Sequence, residues 1–195
     1  RSGAYYDQEV IRPQAITGQK PASTLPKASG DALSTYRLAV AATAQYTAFH
    51  GSPTGAMAAI TTTINRVTGV YEREVAVRLE LVANNDLLIF TDAGYDGYSN
   101  YDPAEDAFAN QQIINGIIGM DNYDIGHVFS TASGGASMLG VVCNDNYKAV
   151  ASTGSSNPVG DPFDIDYVAH EIGHQFDARH TFNSYCNGQR SPESA

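Results

Sequence analysis

The 195-residue sequence predicts a single α/β (α+β) domain behind a short lead-in, and three observations carry that prediction. An apolar, strand-like run at residues 36–43 is followed by a stretch of helical period and a second strand-like run, the order expected of a sheet backed by a helix. A second helix opens on a capping sequence at Asp102. A third helical stretch, near the end of the chain, runs into a cluster of histidines.

Composition bounds what such a domain can be. Hydrophobic residues make up 43% of the chain, enough to build a real core, and no run of 18 apolar residues exists to span a membrane. The net charge of -10 is unevenly spread: residues 1–85 hold eight Lys/Arg against six Asp/Glu, whereas residues 86–178 hold fourteen Asp/Glu and one base, Lys148. An acidic field of that kind disfavours nucleic acid and favours cations or basic peptide segments, and it also serves plain solubility. Low lysine, twelve tyrosines and abundant Gly, Ser, Thr and Asn lean towards an extracellular protein. Cys143 and Cys186 are compatible with one disulfide.

Residues 1–34 scatter Pro13, Gly18, Pro21, Pro26 and Gly30 among polar residues without a period, which reads as an extended lead-in, a prosegment remnant or a strap over the domain. This stretch holds no cysteine, and its Asp7, Glu9 and Asp31 read as solvated carboxylates. The Arg1-Ser2-Gly3 start has neither Met nor the apolar core of a signal peptide and reads as processed or engineered.

Residues 36–43 predict a largely buried strand. Ala56, Ile60, Ile64 and Val67 recur at helical spacing between Pro53 and Gly69, predicting an amphipathic helix over residues 55–68. Residues 75–82 predict a strand, and residues 87–90, after Asn84-Asn85-Asp86, a short partner strand. The glycine-rich loop of residues 92–102 offers Asp92, Asp96 and Asp102 as candidate Ca2+ ligands, although the spacing matches no EF-hand and a solvated loop is the alternative. Asp102-Pro103-Ala104-Glu105 combines a cap, Pro at the first helical position and Glu three residues after the cap. It opens a helix through Phe108, Ile114, Ile117 and Ile118 towards Gly119.

Residues 125–130 predict a strand in which His127 reads as a packed, hydrogen-bonded histidine rather than a fourth metal ligand. Gly134-Gly135 then leads into residues 136–142, read as an edge strand whose free backbone groups can hold an extended peptide; a plain internal strand is the alternative. Residues 151–163, rich in Ser, Gly, Asn and Pro, predict a loop. Asp164 or Asp166 is expected to cap the last helix, with Val168, Ile172 and Phe176 facing the core.

That helix carries His170-Glu171-Ile172-Gly173-His174. Positions four apart share a helical face, so His170 and His174 can offer two imidazole nitrogens to one metal ion, with Glu171 beside them as a base for water. His180 follows six residues later and reaches the same ion only if the chain turns at Asp177 and Ala178. Three neutral nitrogens leave zinc an open position, as in catalytic rather than structural sites; the bland alternative is a surface helix with solvated histidines.

From His170 to His180 the pattern resembles the extended signature of the metzincin zinc metallopeptidases, His-Glu-x-x-His-x-x-Gly-x-x-His. Over residues 36–183 the chain resembles the reprolysin-like (adamalysin-related) branch, in particular its secreted bacterial metalloproteases. The resemblance rests on Ile64-Asn65-Arg66-Val67-Thr68-Gly69-Val70-Tyr71-Glu72, on Gly134-Gly135-Ala136, on Asp164-Ile165-Asp166-Tyr167-Val168-Ala169 and on Thr181-Phe182-Asn183. It implies an upper subdomain, a twisted mixed sheet of about five strands backed by two long helices and an active-site helix, over a smaller irregular lower subdomain. It further implies Zn2+ held by His170, His174 and His180, Glu171 as general base, and Ala136, Ser137, Met138, Leu139 and Gly140 as the substrate-binding edge strand. On this reading residues 35–195 are the catalytic domain. Two departures stand out: Asp177 replaces the family's Gly, and Met57, Met120 and Met138 all precede the motif, whereas the family places a methionine turn after the third His. The expectation is a truncated lower subdomain, with Cys143 and Cys186 either paired together or each parted from another partner.

The function these residues point to is a zinc-dependent endopeptidase acting on proteins or peptides outside the cell. A catalytically silent zinc- or peptide-binding module, or a zinc hydrolase for a non-peptide substrate, are the alternatives.

Overall fold

Strand β2 (Ser34–Ala42) divides the core in two because successive side chains of a strand point to opposite faces. Leu38, Val40 and Ala42 enter one apolar cluster, Ala39 and Ala41 the other. The computed structural model of the chain describes residues 7–10, 32–180, 185–186 and 189–190, with side chains over residues 32–180. Six strands form one sheet: β1 (Asp7–Val10), β2, β3 (Val77–Leu81), β4 (Ile125–Ser130), β5 (Gly134–Met138) and β6 (Ala151–Gly154), in the order β1-β5-β6-β4-β2-β3. β5 runs antiparallel to β6, while the β2–β3, β2–β4 and β4–β6 pairs are parallel. The mixed sheet of five strands within residues 32–180 is the one expected, and β1 adds a sixth.

After the short α1 (Ala44–Phe49), capped by Thr43, helix α2 (Pro53–Val75) covers one face. Its Ile60, Ile64 and Val67 pack with Leu38 and Val40 of β2. The helix starts on a Ser52 cap with Pro53 at its first position, and it runs on past Gly69, where a shorter helix was expected. One glycine costs about 1 kcal/mol, and the burial of Val67 and Tyr71 on either side outweighs it.

Helix α3 (Pro103–Ile118) covers the opposite face, capped by Asp102 as the sequence predicts: the carboxylate accepts from the N–H groups of Ala104 and Glu105. Two predicted elements differ. Residues 87–90 are not a strand; the chain makes a 3-10 turn at Asn85–Leu88 and only Ile89 bridges to Ala42. The Asn85 amide explains this, since it accepts from the Val40 N–H at 2.7 Å and donates to the Val40 carbonyl at 2.9 Å, standing in for a strand neighbour. Residues 151–163 are not all loop either, because β6 occupies residues 151–154, wholly buried between β4 and β5. Its small polar side chains suit a crowded interior: Ser152 donates to the Pro103 carbonyl at 2.7 Å, and a Cβ at Gly154 would lie 2.4 Å from the Ala132 carbonyl oxygen.

The last helix is built from α4 (Asp161–Phe163), a π-helical stretch (Asp164–Val168) and α5 (Ala169–Gln175), and packs on the α2 side of the sheet. Val168 and Ile172 are fully buried and Phe176 partly so, on the core side as expected. β7 (Tyr185–Cys186) and β8 (Gln189–Arg190) pair antiparallel. No helix among the described residues is long and apolar enough to cross a membrane.

Candidate active site

The start of the active-site helix is anchored by charge rather than by a cap. Asp164 accepts from the Thr63 hydroxyl at 2.7 Å and from the Arg66 guanidinium at 2.7 Å, both on α2, so neither it nor Asp166 is the N-cap residue that the sequence suggested. Arg66 also pairs with Asp161. One turn on, the Tyr71 hydroxyl donates to the Ala169 carbonyl at 2.7 Å; burial pushes this phenol up, which keeps it a donor.

At the other end the helix stops in a Schellman motif, in which the Ala178 N–H reaches back to the Gly173 carbonyl at 3.0 Å and the Asp177 N–H to the His174 carbonyl at 2.8 Å. Asp177 takes the left-handed position with φ 72°, the place where the family has Gly. Asp adopts that conformation more readily than most residues, so the turn survives the substitution. Its side chain is 58% exposed and faces Arg179 at 3.7 Å, and it is not among the groups gathered with the histidines.

The turn brings His180 back over the helix. The Nε2 atoms of His170 and His174 lie 3.0 Å apart, those of His170 and His180 3.1 Å, and those of His174 and His180 3.2 Å. Such a triangle has a radius of about 1.8 Å, close to the ~2.0–2.1 Å of a Zn–N bond, so the three nitrogens are spaced to be shared by one ion. The tautomer is right as well. His174 Nδ1 lies 2.6 Å from the Ala178 carbonyl, which can only accept, so Nδ1 carries the proton and Nε2 is left as a lone pair. With His170 and His180 in the same tautomer, three lone pairs would face one another, and a cation among them would be attracted to all three. The residues present therefore fit zinc, and an all-imidazole set suits it.

Glu171, on the same turn, is fully buried. It packs on β5 at Gly135, where an added Cβ would lie 2.3 Å from its Oε1, so only glycine leaves room for the carboxylate. Of the predicted peptide-binding residues, Ala136, Ser137 and Met138 lie on β5, while Leu139 and Gly140 follow it. The Gly140 N–H donates to the His174 carbonyl at 3.0 Å, and the Val141 N–H to the Gln175 carbonyl at 2.8 Å. β5 is not at the edge of the sheet, because β1 pairs along its outer side.

Gln175 has no signal in the sequence, yet it ties the site to the sheet. Its Nε2 donates to the Gly126 carbonyl at 2.8 Å, so its Oε1 accepts from His127 Nδ1 at 3.0 Å. His127 Nε2 in turn accepts from the Thr153 hydroxyl at 2.8 Å. Burial lowers the His127 pKa to about 4 and keeps the ring neutral, a hydrogen-bonded core histidine as the sequence suggested.

The carboxylates of the acidic loop do not gather into a ligand group among the described residues. Asp96 accepts from the N–H groups of Ala44 and Tyr98, Asp92 from Gly94, and Asp102 caps α3. Among the described residues, the histidine triad is the group whose ligand atoms come within metal-binding distance of one another. Cys143 carries a free, exposed thiol; the side chain of Cys186 and residues 181–183 lie outside the described residues.

A family model, metallo-peptidase family M12B, reprolysin-like, matches residues 32–194. No match is found among the curated proteins. The matched stretch takes in strands β2 to β6 of the sheet, both long helices and the histidine triad, and the chain belongs to the reprolysin-like M12B metallopeptidases, a zinc-dependent family.

Proposed function

We propose that the protein is a secreted zinc endopeptidase in which Glu171 is the general base and the segment of residues 136–140 aligns the peptide. The observation that carries this reading is the convergence of the three Nε2 atoms within 3.2 Å of one another on the helix that also holds the buried Glu171. His170, His174 and His180 would hold the metal. Zinc, when bound, supplies Lewis acidity towards water and the scissile carbonyl. The Glu171 carboxylate takes the proton of the attacking water and passes it to the leaving amine. Its burial beside Gly135 keeps it close to the strand that would carry the peptide. The extracellular setting is part of the same proposal and rests on the composition.

The Glu171→Ala protein should keep its zinc, read by metal analysis, and lose casein hydrolysis by roughly 10²–10⁴-fold. Cleavage at the parent rate would sink the assignment of the base. Products whose appearance stops on adding a chelator separate this reading from a silent binding module.

A further inference from the structure

Gln175 follows the second histidine of the triad, and its polar groups are committed to three other segments. Its Nε2 donates to the carbonyls of Gly126 at 2.8 Å and Lys148 at 3.3 Å, its Oε1 accepts from His127 Nδ1 at 3.0 Å, and its backbone carbonyl accepts from the Val141 N–H at 2.8 Å. His127 carries the connection on to Thr153 of β6 at 2.8 Å. All three side chains are fully buried. His174 makes a parallel connection, because its carbonyl accepts from the Gly140 N–H at 3.0 Å while its ring faces the other two histidines. The same short stretch of helix thus presents an imidazole to the triad, holds the end of the segment read as peptide-binding, and hangs on β4 and β6 through an amide and an imidazole.

We propose that Gln175 and His127 are positioning residues of the metal site: through the peptide unit that joins residues 174 and 175 they set where His174 stands, both against its two companion histidines and against residues 136–140. The second half of that statement rests on the reading of residues 136–140 as the peptide-binding segment; the first half does not. Stability alone gives little reason for such a pair. A buried amide and imidazole must both be stripped of water, and an apolar pair of the same shape can be as stable. What directed bonds add is a fixed position. The peptide unit is planar and stiff, so a shift of Gln175 carries His174 with it. Neither Gln175 nor His127 is among the groups gathered at the triad, so each acts through the helix end and not on the metal itself. Supports one step removed from the ligands are worth about 10–100-fold in metal affinity or activity. Turnover suffers more than substrate binding, because the peptide's own bonds go to residues 136–140, whereas the alignment of the site with the scissile bond depends on where the helix ends.

The test uses the full chain. Each variant is compared with the parent in the urea midpoint of the zinc-free protein, in zinc Kd by competition with a chromophoric chelator, and in kcat and KM for casein-peptide hydrolysis at saturating zinc. Gln175→Met keeps the length of the side chain and removes its amide; zinc should bind at least about tenfold more weakly, and kcat should fall at least about tenfold with KM within about twofold. His127→Leu withdraws the donor to Oε1 and should weaken zinc binding in the same way. His127→Asn keeps a donor where Nδ1 stands and should return zinc affinity to within about threefold of the parent. A Gln175→Met protein with a lowered urea midpoint but parental zinc affinity and kcat overturns the proposal, since a merely structural bond would behave so. A His127→Asn protein that binds zinc no better than His127→Leu overturns it too, and that comparison stands even where Gln175→Met fails to fold. A parent without turnover whose variants show the expected order of zinc affinities upholds the positioning role while failing the peptidase reading.

Discussion

The two ends of the active-site helix are held in different ways. At its start, a buried carboxylate, Asp164, meets Arg66 and Thr63 of α2, and Asp161 adds a second carboxylate to the same arginine. At its end, neutral hydrogen bonds dominate: Gln175 to the Gly126 carbonyl and His127, the backbone of residues 140 and 141 to the last carbonyls, and the Schellman turn. The helix dipole gives this division its sense. Negative side chains are favoured near a helix N-terminus and cations near its C-terminus, where the three histidines gather. Neutral bonds also fix the position of His174 without placing a competing charge next to the metal.

Three measurements sharpen that contrast. The largest effect is expected at the charged end: Asp164→Ala leaves the buried Thr63 hydroxyl without its acceptor and Arg66 with Asp161 alone, at a cost of about 3 kcal/mol in urea unfolding. Zinc affinity should change far less than stability. An equal loss of zinc affinity would mean that the two ends are not separable.

The neutral end should be the acid-sensitive one. His127 has a folded pKa of about 4, below the ordinary value of 6.5, so the unfolded chain binds a proton that the folded chain refuses. Its contribution is present above pH 6.5 and is lost as pH falls towards 4, by about 2 kcal/mol between pH 7 and pH 5. Urea midpoints of the zinc-free protein over that range, minus the same curve for His127→Gln, isolate this slope; identical curves would remove His127 as its source.

The smallest effect is at Asp177, whose φ of 72° glycine adopts freely. Asp177→Gly should add about 1 kcal/mol to stability, with zinc affinity nearly unchanged because the carboxylate faces solvent. A large change in zinc affinity would show that Asp177 does more than make the turn.

Much of the site is legible in the sequence because its logic is local. The i, i+4 spacing of His170 and His174 needs only a helix, and the turn that returns His180 needs only residues 176–178 in a common helix-ending geometry. The cap at Asp102 is equally local and forms as read. β6 was not legible, because Ala-Ser-Thr-Gly has the composition of a loop and becomes a central strand only when α3 and β4 crowd it. Asp164 has the look of a cap in the sequence because nothing nearby announces Thr63 and Arg66, which lie about a hundred residues earlier.

The sequence by itself determined the metal-binding pattern, the two long helices with the Asp102 cap of the second, and the strand, helix, strand start of the domain, since these follow from periodicity and short-range hydrogen bonding. Only the tertiary structure decided that Glu171 lies against a glycine of β5, that Gln175 and His127 lock the helix end to the sheet, and that residues 7–10 close the outer side of β5. Each of these joins segments far apart in the chain. Contacts of that kind are set by which backbone groups and side chains meet when the sheet assembles, and no local pattern encodes them.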